Sequence, residues 1–132
     1  PLPRESYYLT QSILVVPTLF SSWMVLGGVC ILLARRAGGV GLGRSVLACA
    51  GFAYALPLLV LFVLPDLVVY LAFGFPSLGK LVRITGVLLV LSEWALTARA
   101  LVAAQRLRWS RAVPIAFVGL LAQAIIGGLV LR

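Results

Sequence analysis

Long apolar runs, each flanked by arginine at one end or the other, restrict this chain more than any other feature. Four of them cover about 11–34, 45–64, 79–104 and 112–131. A hydrocarbon core of ~30 Å takes roughly 20 apolar residues of helix. Within lipid each backbone polar group must find its partner inside the same segment, which selects helices. Strands would alternate apolar and polar faces, and these runs do not. With 63% hydrophobic and 11% charged residues and a mean hydropathy of +1.17, the chain has too little polar surface for a water-soluble domain. The expectation is an all-α membrane protein: one domain over 1–132, four transmembrane helices and a short interfacial or re-entrant segment.

The breaks between the runs set the topology. The first lies in RRAGGVGLGR, where Arg35 and Arg36 end one span, Gly38, Gly39, Gly41 and Gly43 make a flexible turn, and Arg44 opens the next. The glycines contain a G-x-G, but no Lys-Ser or Lys-Thr follows and no strand precedes, so this is a turn and not a phosphate loop. The last break, QRLRWSR, carries Arg106, Arg108 and Arg111 around Trp109. These two connectors lie on one side and, with Arg99, hold seven arginines; the other side holds Arg4, Lys80, Arg83 and Arg132 with Glu5 and Asp66. The richer side is expected in the cytoplasm of a cell membrane, with both termini outside.

Residues 1–10 suggest an interfacial lead-in, with Tyr7 and Tyr8 at the headgroup boundary. No cleavable signal pattern is present. Pro17 is placed in the first two turns of the first span, where a missing donor costs least. Ser21, Ser22, Gly27 and Gly28 give that span a small-residue stripe suited to close helix approach. Pro57 predicts a bend in the second span, and Pro65-Asp66 its exit. The apolar stretch 67–75 is too short to cross and is read as interfacial or re-entrant, a continued, tilted helix being the alternative. Cys30 and Cys49 read as small apolar filler rather than a disulfide.

A net charge of +8 spread over the ends of apolar runs is topogenic charge, so nucleic acid is not an expected partner. Histidine is absent, and no carboxylate pair, metal cluster or nucleophile–base pair stands out, so no enzyme, metal or cofactor is expected. One residue departs from this pattern. Glu93 falls near the middle of the third span, and Ser22, Tyr54 and Gln123 fall at similar depth in the other three. A carboxylate there is costly unless neutral, hydrogen-bonded or hydrated. It is read either as an interhelical bond to Gln123 or as a proton or cation site.

The ordered set YYLTQSILVVPT, LARRAGGVGLGRSVLACAGFAYALP, a Pro-Asp exit, Trp94 and RLRWSRAV resembles the Yip domain family, and a prokaryotic member of it. That resemblance implies about five spans, one lying upstream of this chain, and a fold more than an activity. Together with the residues it implies a non-catalytic scaffold, adaptor or accessory subunit. Its partners would be the lipid bilayer, other membrane proteins or a larger membrane complex, or further copies of itself. A small oligomeric proton-handling or transport unit is the other expectation.

Overall fold

The computed structural model describes residues 4–74 and 78–130, and among these the chain forms helices and no strand. Helix α1 spans Arg4–Arg36, α2 Gly43–Pro57, α3 Leu64–Phe73, α4 Leu78–Gln105 and α5 Trp109–Val130, with a π-helical turn at Leu58–Val63 joining α2 to α3. Four stretches are long and apolar enough to cross a membrane: Val16–Arg36, Gly43–Phe73, Arg83–Gln105 and Trp109–Ile126. The architecture is the expected all-α one with four candidate spans.

The helices form a ring. α1 packs on α2 and α5, α4 packs on the same two, and α1 meets α4 across the diagonal, while among the described residues the backbones of α2 and α5 make no close approach. Small residues make the close approaches. A Cβ on Gly27 would come within 2.5 Å of Leu47, and one on Gly119 within 2.7 Å of Cys30 Sγ. The core gathers Leu26, Cys30, Val46, Ala50, Leu101 and Ala116. Two indoles tie neighbouring helices: Trp23 Nε1 donates to Leu47 O across α1–α2 and Trp94 Nε1 to Val113 O across α4–α5, both at 3.0 Å. In lipid, packing and such bonds replace the hydrophobic drive between helices.

Several boundaries differ from expectation. The backbone is already helical at Arg4, so residues from Arg4 onward are not a separate lead-in, and Pro17 lies deep inside α1. Pro17 leaves the Ile13 carbonyl without its helical donor, and beside it Thr18 Oγ1 donates to Leu14 O at 2.6 Å. Only half of the α1 stripe is used for packing: Ser22 and Gly27 are buried, whereas Ser21 is exposed and Gly28 faces open space.

The expected exit at Pro65-Asp66 is not an end of helix, and of the two readings of 67–75 the residues described, to Phe73, follow the continued helix. The helical run continues from Gly43 to Phe73 and stops at Gly74, whose φ is +75°. The π turn begins directly after Pro57, and Leu64 N–H donates five residues back to Leu59 O. A proline lacks a donor and its ring crowds the carbonyl four residues earlier; for Pro65 that carbonyl is Leu61, inside the π turn. The wider π register accommodates a proline that an α register would expel. At 31 residues the run is ~46 Å long, well beyond a ~30 Å core. Phe75, the last residue of the stretch read as interfacial or re-entrant, and Arg132 lie outside the described residues.

Candidate functional site

Two groups of polar residues stand apart from this apolar frame: the connector end and a layer at mid-depth. The connector end starts with the last turn of α1. Gly38 N–H donates to Arg35 O and Gly39 N–H to Ala34 O, with Gly38 at φ +88°. This is the paired closure that a left-handed residue after a helix permits. The Arg111 guanidinium then donates from Nη1 to Ala37 O at 2.7 Å, placing positive charge on the α1 C-terminus, where the helix dipole favours it.

From there the loop docks on the end of α4. Gly41 N–H donates to Gln105 Oε1 at 3.2 Å, and Val40 N–H reaches Gln105 O at 3.4 Å. A Cβ on Gly41 would fall 1.7 Å from Ala104 O, and one on Gly39 2.7 Å from Gln105 Oε1. Gly39 and Gly41 thus let one backbone lie against another, which is more than the flexible turn expected of them. Both connectors stand at the same end of the ring, as the arginine distribution requires. Arg35, Arg36, Arg44, Arg106, Arg108 and Arg111 are all exposed there. The three acids of the chain, Glu5, Asp66 and Glu93, all lie elsewhere. Arg106 adopts φ +53° at the end of α4, a conformation that costs a non-glycine residue of order 1–3 kcal/mol.

The mid-depth layer has its centre at Glu93, which is 5% exposed. Gln123 from α5 is hydrogen-bonded to its side chain, and Tyr54 from α2 lies near enough to feel its charge. Ser22 is buried on α1; since Gly119 packs between Leu26 and Cys30, one further turn along the antiparallel pair brings Ser22 level with Gln123. Of the four residues expected at one depth, Glu93 and Ser22 are buried and Tyr54 and Gln123 half-buried, Tyr54 also lining an outer apolar pocket between α1 and α2. Glu93 Oε1 and Gln123 Oε1 have no hydrogen-bond partner, and neither does Thr97 Oγ1, one turn along α4 from Glu93.

Thr97 and Gln105 are the residues that sequence reasoning missed. Thr97 is 1% exposed and Gln105 0%. Residues 93, 97, 101 and 105 recur every four positions, the spacing of one helix face, and this is the signal that could have found them. Cys30 is buried in the core, Cys49 is half-buried, and both are free thiols. Among the described residues, no cluster of His, Cys, Asp or Glu could hold a metal ion.

Comparison with known proteins finds no matching family model, no matching curated protein and no matching solved structure. The Yip-domain resemblance rests on the residues quoted for it and on nothing further.

Proposed function

We propose that this chain is a non-catalytic membrane scaffold or accessory subunit, whose connector end is a rigid, basic docking platform. The observation that carries the reading is the way that end is built. Gly39, Gly41, Gln105 and Arg111 fasten both connectors together, and exposed arginines project from the fastened surface. A loop that served only to reverse the chain would not need this docking. Positive charge concentrated at one end favours a cytoplasmic position for it, with both termini of the chain on the opposite side. Acidic segments of other membrane proteins fit such a surface, with small-residue helix faces as a second point of contact. The Yip-like order of motifs fits the same reading.

Purification in mild detergent, with the bound proteins identified by mass, tests it. A stoichiometric membrane-protein partner should accompany the wild type and be lost when Arg35, Arg36 and Arg108 are replaced by Gln. A partner retained equally by that triple variant would contradict a basic docking surface.

The unpartnered oxygens of Glu93, Thr97 and Gln123 favour a second reading, a proton or cation site inside the ring. Buried polar atoms without partners call for an explanation, and a bound ion or water is one. On this reading the chain is a small transport unit and Glu93 is its titrating group.

A further inference from the structure

The outer surface between α2 and α4 carries two adjoining cavities of unlike character. The first, about 660 Å³, opens at the connector end and is lined by Val40, Gly41, Ser45 and Arg106 among others. The second, about 280 Å³, continues toward mid-membrane between Phe52, Leu56 and Leu96, with Arg99 at its side. Cys49 and Ala103 line both, so the two are one groove with a polar mouth above an apolar furrow. Phe52 is 76% and Leu56 55% exposed, so the furrow opens outward, toward lipid.

We propose that this groove binds one anionic phospholipid of the leaflet at the connector end, its headgroup in the mouth and an acyl chain along the furrow. The polarity changes along the groove in the order that a single amphiphile presents. The charge is one-sided: Arg106 stands at the mouth and no acid lines either cavity. Arg99 lies six residues before the end of α4, ~9 Å down the helix. From that depth its long side chain can lay its methylenes on the furrow and lift its guanidinium to the phosphate. The Ser45 hydroxyl and the uncapped start of α2, where Leu42 supplies no side-chain cap, add donors at the same level. A basic pocket between helices at the membrane boundary is the chemistry that recognises an acidic headgroup. This inference does not depend on the docking role proposed above.

Native mass spectrometry of the full chain in detergent, titrated with phosphatidylglycerol and phosphatidylcholine together, tests the assignment. One phosphatidylglycerol should be retained at least tenfold over phosphatidylcholine. Replacing Arg99→Gln and Arg106→Asn should lower its retention about 25-fold, at about fivefold for each arginine near the surface; asparagine tolerates the positive φ at position 106. Ala103→Phe, at an exposed position where the two cavities meet, should displace the lipid at unchanged thermal midpoint. The charge-matched pair Arg35→Gln with Arg36→Gln, neither of which lines the groove, should stay within about twofold of wild type. Equal retention of the two lipids would overturn the proposal. So would Ala103→Phe retaining the lipid, or Arg35 and Arg36 mattering as much as Arg99 and Arg106.

Discussion

The two halves of the helical run Gly43–Phe73 are both apolar and have opposite fates, and the more apolar half is the one left unburied. In α2, Val46, Ala50, Ala53 and Pro57 are buried, at steps of four, three and four. In the π turn and α3 no residue is buried, and Leu59, Val63, Leu67, Val68, Leu71 and Phe73 all face outward. Hydropathy runs the wrong way to explain this, since the exposed half is the more apolar; side-chain size follows the difference instead. Alanine lets neighbouring backbones close in, whereas a row of Leu, Val and Phe already has a good environment in lipid and gains little by packing. Polytopic chains of this kind place their core where small residues recur at helical spacing.

The largest effect of substitution is expected at the connector end. Gly41→Val should cost about 4 kcal/mol or leave no folded protein, because its Cβ meets the Ala104 carbonyl and neither backbone can yield. Gly28→Ala, with nothing within 4 Å, should gain up to about 1 kcal/mol from helix propensity. Thermal unfolding in detergent reads both, and equal midpoints for the two variants would deny that the loop is docked.

Next in size is the contrast between packed and lipid-facing leucines. Leu101 is fully buried and Leu71 74% exposed. Leu101→Ala should destabilise by about 2–5 kcal/mol through the cavity it leaves. Leu71→Ala should stay within about 0.5 kcal/mol. A large loss at Leu71 would mean that the outward face of α3 is packed and not turned to lipid.

The smallest expected effect is at the mid-depth layer. Glu93→Gln keeps a hydrogen-bonding group toward Gln123 and should leave stability unchanged, while Glu93→Leu should cost about 1 kcal/mol. Proton flux into liposomes separates the two functional readings. Under the scaffold reading neither variant changes a flux that wild type lacks; wild-type flux abolished by Glu93→Gln would replace the scaffold with a transporter.

Span number and the pairing of connectors were legible because arginine marks where apolar runs leave the membrane. Mid-depth residues can be assigned by counting inward from those marks, since depth along a helix depends only on its rise. Three features were hidden. Pro65-Asp66 looks like an exit because sequence alone does not reveal a π turn that makes room for a proline. Gln105 looks like connector because it adjoins Arg106, yet it is fully buried and receives Gly41. Trp23 gives no sign that its indole will bind the α2 backbone, because that bond depends on how close two helices approach.

The orientation of the docked, basic end is the centre of this account, and side-specific labelling reaches it directly. Single cysteines replace Val40 and, separately, Arg108 in a background without Cys30 and Cys49, and an impermeant thiol reagent is applied to intact and to permeabilised cells. Both positions are exposed and belong to connectors at one end of the ring. The account predicts that both resist the reagent on intact cells and react after permeabilisation. Labelling of both from outside would invert the orientation and remove the cytoplasmic platform, and labelling of only one would contradict the fold that joins them.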